Sequence, residues 1–319
     1  MDLRDVQSRR LAQDNQRKQR LGRARLAALA SLLAAVVITL AIVIGNTGGS
    51  SSSKHHSVAK RTTTKPTTST NAAASASRTA VPILTYYVIN SPPPGSSAPA
   101  DLYTPADQFA SQMNALKAAG WHAVTLDQVQ AYWSQGKSLG SGKPVVISFD
   151  NGYASQYTNA LPVLKGLGWP AVVNLQVNGL SPSQGGMSDS QIRGLLAAGW
   201  ELDAEGVTHT DLTTVGTTQL QSETTTARQT LKSRYGVPVN WFCYPLGTYN
   251  DSVVAAVRSA GYVGASTIVP GWASSKEDRF RLPRLQVAAN TSSSQLLSQI
   301  AAAQNDGPPP SSSTRPGLA

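Results

Sequence analysis

From Ala80 to Gln304 the chain alternates short apolar runs with amphipathic segments, a rhythm that few folds accommodate. The apolar runs are residues 81–89, 123–126, 145–149, 171–177, 201–204, 241–244, 264–268 and 285–287. Segments with helical periodicity lie between them, at 105–119, 126–133, 156–167, 188–198, 218–235, 251–260 and 292–304. Several carry their own punctuation. Ser188-Asp189-Ser190 starts one helix and Ala198-Gly199 stops it, while Asn250-Asp251 and Ala260-Gly261 do the same for another. Val145-Val146-Ile147-Ser148-Phe149 reads as a buried strand. Repeated β-α units over about 220 residues predict an α/β fold with parallel strands, closed in a barrel-like way rather than left as an open sheet.

The flanks differ in kind. Residues 1–25 contain eight Arg and Lys, and residues 26–44 form a run of 19 without charge. As a helix, that run matches a hydrocarbon core of about 30 Å. The basic flank is N-terminal, which orients residues 1–25 to the cytoplasm and everything after Gly45 outside it. The run is longer than a signal-peptide core and no small-x-small site follows, which favours an uncleaved single-pass anchor in the cell membrane over a cleaved leader. Residues 45–78, rich in Ser, Thr, Ala and Gly, read as a disordered tether, and His55-His56 within it as solvated linker residues. The domain then spans 79–306, and 307–319 reads as a disordered tail.

Charge sharpens this division. The first 78 residues carry 13 Lys and Arg against 3 Asp and Glu, whereas the remainder carries 14 of each, so the net +10 belongs wholly to the N-terminal part. A nucleic-acid footprint belongs on the folded domain, so that class of partner is set aside. Cys243 is the single cysteine, which rules out an intramolecular disulfide.

Polar groups fall at the predicted strand ends in four places: Asp150-Asn151-Gly152-Tyr153, then residues 203–211 with Asp203, Glu205, His209 and Asp211, then Cys243-Tyr244-Pro245-Leu246-Gly247, then Arg281-Leu282-Pro283-Arg284. In parallel α/β sheets, ligands bind at the carboxyl ends of strands. An acid, an acid-plus-His cluster, a tight Pro-Gly turn and an Arg on one rim suit hydrolysis of an amide or ester. A carboxylate acts as base on water, O and N ligands hold a Lewis-acid metal, and turn amides face a developing oxyanion. Taken alone, Asp150-Asn151-Gly152 is equally a plain turn.

Three stretches in order carry a family resemblance. Ser148-Phe149-Asp150-Asn151-Gly152-Tyr153 resembles the Thr-Phe-Asp-Asp-Gly-Tyr signature of the polysaccharide deacetylases, the NodB-homology or carbohydrate esterase family 4. Residues 199–212 resemble that family's second motif, and 242–250 its third. Val81-Pro82-Ile83-Leu84-Thr85-Tyr86-Tyr87 is similar to the opening strand of the permuted subgroup that includes poly-N-acetylglucosamine deacetylases. The resemblance implies a distorted (β/α) barrel, a divalent metal (Zn, Co or Mn) if the protein is active and none otherwise, and a polysaccharide or peptidoglycan glycan as partner. It makes Asp150 the general base. It puts Asn151, Glu205 and His209 at the metal-ligand positions and Tyr87 at that of the general acid. Tyr244, Pro245 and Leu246 fall on the substrate and oxyanion side, with Leu246 giving the oxyanion amide. Cys243 stands where the family's third motif has Arg, and Arg284 matches an Arg of the permuted subgroup that restrains Asp150.

The departures cluster at the chemistry. An amide oxygen such as that of Asn151 is a weak replacement for an anionic ligand, and a Tyr with an ordinary pKa near 10 is a poorer proton donor than His. Two functions follow: a membrane-anchored, extracytoplasmic carbohydrate N-deacetylase, or a pseudoenzyme that keeps the barrel to bind glycan or act as a scaffold. An esterase with a re-ligated metal is a third, weaker option. Tyr87 and Tyr244 either line a sugar groove or pack in the rim. Cys243 reads as a small buried hydrophobe, His122 as structural, Asp203 as a spare carboxylate near the cluster and Asp211 as a helix cap.

Overall fold

The computed structural model describes residues 79–94 and 99–313. The basic tail, the apolar run at 26–44, the tether and the end of the C-terminal tail lie outside the described residues. Among the described residues no helix is long and apolar enough to cross a membrane.

The elements follow the expected alternation. They are β1 (Val81–Tyr86), α1 (Ala106–Ala118), β2 (Trp121–Ala123), α2 (Leu126–Gln135), β3 (Lys143–Phe149), α3 (Leu161–Leu167), β4 (Val172–Leu175), α4 (Asp189–Ala197), β5 (Glu201–Ala204), α5 (Thr217–Gln221), α6 (Ala227–Tyr235), β6 (Trp241–Cys243), α7 (Asp251–Ser259), β7 (Gly264–Ser266), β8 (Trp272–Ala273), β9 (Leu285–Gln286) and α8 (Ser293–Ala302). The expected strand at 123–126 sits earlier in the structure. Thr125 is the N-cap of α2, its side chain accepting from Gln128 N while Gln128 answers to the Thr125 amide, so Leu126 is already helical.

The strands form one curled mixed sheet in the order β7-β6-β5-β4-β3-β1-β8, with β2 beside β3 and β9 beside β1. Only β1–β8 is antiparallel; the other pairings are parallel. The segment between β8 and β9 also reaches the far edge. Leu282 N donates to Ala265 O and Thr267 N to Leu282 O, both at 2.9 Å, before β9 pairs with β1.

Two cores explain why the strands read as continuous apolar runs. Leu84, Tyr86, Val145, Ile147, Phe149, Val173, Leu202 and Phe242 face the surrounding helices. Val81, Ile83, Val146, Val172, Trp241 and Leu282 face the concave side, where Leu126, Val129 and Trp133 of α2 close one end. Successive strand side chains point to opposite faces. The concave series therefore continues from Val146 through Ser148 to position 150, from Val172 to 174, from Trp241 to 243 and from Leu282 to 284. Burying such runs contributes about 25 cal/mol per Å² of apolar surface.

Two long helical segments deviate from regularity where they touch the rim. A π-helical turn at Gln156–Ala160 precedes α3, and another at Ser222–Thr226 joins α5 to α6. Such turns concentrate at functional sites. The tail also departs from its composition. Ser313 exchanges two backbone hydrogen bonds of 3.0 Å with Tyr249, and the Tyr249 hydroxyl donates to Pro310 O at 2.9 Å, so the tail is packed at least to Ser313.

Candidate active site

At the carboxyl ends of the strands, the concave face opens into a cavity of about 260 Å³ lined by Tyr87, Asp150, Asn151, Glu205, His209 and Leu246, among others. The alternation just described delivers Asp150, Asn174, Cys243 and Arg284 to this end from four separate stretches of chain.

Asp150 is fully buried and its carboxylate accepts three hydrogen bonds from two side chains. Arg284 Nη1 donates to its Oδ1 at 2.9 Å and Nη2 to its Oδ2 at 3.0 Å, a two-pronged clamp. Asn174 Nδ2 adds a bond to Oδ1 at 2.7 Å. Arg284 is buried as well, its Nε donating to Thr267 O at 2.6 Å and its Nη2 to Cys243 Sγ at 3.2 Å. Burial works against the guanidinium, but the Asp150 charge outweighs it and the Arg284 pKa is raised. Gln156 secures the backbone behind the carboxylate, its Nε2 donating to Asp150 O at 2.7 Å and Tyr87 O at 2.9 Å.

The second cluster stands across the cavity. Glu205 is buried; its Oε2 accepts from Asn151 N at 2.9 Å and its Oε1 lies 3.3 Å from His209 Nε2. Burial, then the charge of Asp150, pushes the Glu205 carboxyl up. The Asn151 amide falls into the same group. With its nitrogen turned inward it donates to Glu205 Oε2 at 2.9 Å and Oε1 at 3.1 Å and lies 3.2 Å from His209 Nε2. With its oxygen inward, the three residues present a convergent set of acceptors.

Backbone strain gathers here. Among the described residues, the non-glycine positive φ angles are Asn151 (70°), His209 (56°), Leu246 (60°) and Asn290 (60°), and the first three line the cavity. For Leu246 the left-handed conformation costs about 1–2 kcal/mol, which the surrounding loop sustains. Gly247 follows at φ 71°, where a Cβ would stand 2.3 Å from Ile268, and Thr248 Oγ1 donates to Asp211 Oδ1 at 2.8 Å. Asp211 thus ties the second polar loop to the third instead of capping a helix, since Thr213 N and Oγ1 take the same Oδ1 and α5 begins only at Thr217.

Other residues fall away from the reacting space. Tyr244 follows Phe242 on the outer face, where its ring stacks on Tyr249 at 5.1 Å and its hydroxyl donates to Phe280 O at 2.9 Å. Tyr244 still contributes to the cavity wall, whereas Pro245 is buried in the turn and is not among the lining residues. Tyr87 is half-buried at the cavity wall, and burial, then the Asp150 charge, pushes its hydroxyl far up, so it keeps its proton. Cys243 is buried but polar in its contacts, its Sγ 3.7 Å from Glu205 Oε1 and pushed up first by burial. Asp203 lies one strand repeat below Glu205 and binds Trp241 N at 3.1 Å, away from the rim. His122 is structural, its Nε2 2.7 Å from Leu139 O.

Two supporting residues escaped sequence reasoning. Asn174 is a polar residue inside an apolar strand, two positions after inward-facing Val172, and that spacing was its only signal. Glu223 is buried and accepts from Val207 N at 2.6 Å, Thr208 N at 3.0 Å and Thr208 Oγ1 at 2.5 Å, fixing the loop that carries His209. Gly206 allows this approach: its φ is 82°, and a Cβ there would stand 2.8 Å from Glu223 Oε2. Glu223 had no signal, because it sits in a π-turn that interrupts a regular helical pattern.

Two donor sets for a metal overlap at Glu205. Asp150, Glu205 and Cys243 offer ligand atoms within 4.8 Å of one another. Arg284 already supplies a positive charge to Asp150 and Cys243 there, and a thiol held protonated is a poor ligand. The set of Asn151, Glu205 and His209 faces the cavity instead, with one carboxylate, one imidazole and one amide oxygen. That donor chemistry fits a divalent ion bound by N and O ligands.

A sequence profile described as polysaccharide deacetylase matches residues 137–265. YxkH of Bacillus subtilis, named as a polysaccharide deacetylase, is 27% identical over 193 residues, which is 60% of this chain and 68% of that protein. The poly-beta-1,6-N-acetyl-D-glucosamine N-deacetylase of Escherichia coli K12 is 40% identical over 57 residues, 18% of this chain and 8% of that protein. The Streptococcus pyogenes deacetylase PplD, solved in complex with acetate, aligns with a TM-score of 0.65 at 24% identity, covering 70% of this chain and 99% of that chain. At that identity the likeness is one of fold.

Proposed function

Because the chain belongs to the polysaccharide deacetylase family, we propose that it is a carbohydrate N-deacetylase. It is anchored in the cell membrane by a single-pass helix at 26–44 and hydrolyses acetamido groups of cell-wall or exopolysaccharide sugars outside the cytoplasm. One observation carries this reading. A carboxylate clamped by Arg284 and Asn174 opens onto the same cavity as the Glu205–His209 pair and the strained Leu246 turn.

In this reading Asp150 takes a proton from the water that attacks the acetamide carbonyl. The Leu246 turn faces the oxygen on which charge develops. The C–N bond breaks, Asp150 returns the proton to the departing amine, and acetate is the second product. Tyr87, whose hydroxyl keeps its proton, donates a hydrogen bond to the bound sugar and does not act as the acid. Asn151 (oxygen inward), Glu205 and His209 would hold a divalent ion, which polarises the carbonyl and lowers the pKa of water when bound. Purified protein supplied with Zn²⁺, Co²⁺ or Mn²⁺ is expected to release acetate from N-acetylglucosamine oligomers or peptidoglycan, and Asp150→Asn to abolish it. No release with any of the three metals defeats the proposal.

The Asn151 amide favours a second reading. Turned nitrogen-inward, it satisfies Glu205 and His209 with no cation present, as expected of a glycan-binding pseudoenzyme. Metal content of the purified protein separates the two: below roughly a tenth of an equivalent after metal is offered, the pseudoenzyme holds.

A further inference from the structure

A second cavity, of about 580 Å³, opens at the amino ends of β1, β2 and β3 and beside β8, the end of the sheet opposite the rim. Its size falls within the usual range for small-molecule sites. Trp121, Tyr132 and Trp272 line it, with Lys143, Gln304 and Ser138 among their neighbours. All three aromatic residues are half-buried, whereas the other four tryptophans, Trp133, Trp169, Trp200 and Trp241, are in the core. The rings are fixed in place. Trp121 and Trp272 meet edge to face at 5.8 Å, Trp272 Nε1 donates to Ile300 O at 2.8 Å, and the Tyr132 hydroxyl accepts from Thr79 N at 3.0 Å.

Rigid aromatic faces beside an ammonium, an amide and a hydroxyl match a pyranose, which offers an apolar face to stack and hydroxyls to hydrogen-bond. The charge narrows the class. Lys143 Nζ already lies 5.6 Å from the Trp121 ring centre, so a cationic ligand meets repulsion where a neutral or acidic sugar does not. Along β3, Lys143 and Asp150 are seven residues apart, roughly 23 Å at the rise of a strand. The cavity is therefore separate from the sugar subsites of the rim.

We propose that the Trp121–Tyr132–Trp272 cavity is a second glycan-binding site that holds a polymeric substrate while the rim acts on another part of it. This rests on the glycan reading of the rim, and raises affinity for polymer over short oligomer by simultaneous engagement.

Tryptophan emission isolates the site, because no tryptophan lines the rim cavity. The full chain titrated with N-acetylglucosamine hexamer is expected to show a saturable change in tryptophan emission. Trp121→Ala is expected to weaken that binding about tenfold, and Gln304→Ala, at an exposed position, about two- to threefold. Calorimetric titration in parallel reports total binding, and a thermal melt checks that each variant is folded. If Trp121→Ala does not fold, Gln304→Ala together with Lys143→Ala at the other exposed wall decides the matter. Calorimetric binding with silent emission overturns the second site and leaves the rim reading intact. An emission change that persists unweakened in the folded variants also overturns it. No binding by either method defeats both readings.

Discussion

The carboxyl groups beneath the sheet give the sharpest quantitative prediction. Asp127 N donates to Glu201 Oε2 at 2.8 Å and Trp241 N to Asp203 Oδ1 at 3.1 Å, while Glu201 Oε1 and Asp203 Oδ2 are buried without a partner. Asp127 is itself engaged, accepting from Trp241 Nε1 at 3.0 Å and Asn240 Nδ2 at 2.8 Å. A proton shared between Asp203 and Glu201 satisfies both orphan oxygens. Burial, then the Glu201 charge, pushes Asp203 well up; burial, then the Asp127 charge, pushes Glu201 from an ordinary 4.5 up to about 7. The folded protein thus keeps a proton that the unfolded chain releases. The part of the stabilisation carried by Glu201 is complete below about pH 4.5 and is lost as pH rises through about 7, while the part carried by Asp203 is lost only as pH rises through its own raised pKa. At about 1.4 kcal/mol per pH unit the Glu201 part comes to about 3.5 kcal/mol, reduced to about 2 kcal/mol because Glu201 keeps some contact with solvent. Urea denaturation at pH 5, 6, 7 and 8 measures it, with Asp203→Asn as the comparison, since its amide donates to Glu201 at every pH. Wild-type stability is expected to fall by about 2 kcal/mol from pH 5 to 8, and that of the variant by less than about 1 kcal/mol. Parallel pH profiles for the two proteins would refute the shared proton.

Three further perturbations probe the rim. Arg284→Met leaves a buried carboxylate unpaired and is expected to cost about 3–5 kcal/mol in chemical denaturation, whereas Asp150→Asn with Arg284→Met recovers part of that loss. Glu223→Gln keeps the volume but weakens the latch on Val207 and Thr208, so kcat for acetate release should drop about tenfold or more with stability changed by about 1–2 kcal/mol. Asn151→Asp adds an anionic donor beside Glu205 and His209; zinc affinity by competition dialysis should rise about tenfold or more, and an unchanged affinity would argue against that trio as the metal holder.

Much of this architecture was legible because period and punctuation agree with tertiary packing. The segments at 188–198 and 251–260 carried Ser and Asn caps that the structure uses, Ser188 accepting from Gln191 N and Asn250 from Val253 N. The strand at 145–149 was plain because both its faces are covered. Short strands without a pattern were not: Trp272–Ala273 is two residues long, and its pairing with Val81 and Pro82 is set by contacts distant in sequence. At the site, strand ends pointed to Asp150, Glu205, His209 and Arg284, but composition could not say which face each side chain takes. Tyr244 shows the cost. It follows the outward-facing Phe242 by two, so alternation sends it into the helix-side core, a deduction available only once the register of β6 is known. The role of Cys243 was hidden likewise, since its small buried side chain is also where Arg284 meets Glu205.

The clamp on Asp150 has a consequence for the order in which the site is assembled. Arg284 is 134 residues further along the chain, in the segment that joins one edge of the sheet to the other. Contacts of such sequence separation are slow to form, because the loop between them must close before they repay its entropy. While the chain is synthesised, Asp150 emerges early and remains without its restraint until nearly the whole domain has appeared. Deployment of the carboxylate is in this way tied to completion of the sheet, and a product truncated anywhere before Arg284 would lack the clamp that sets it.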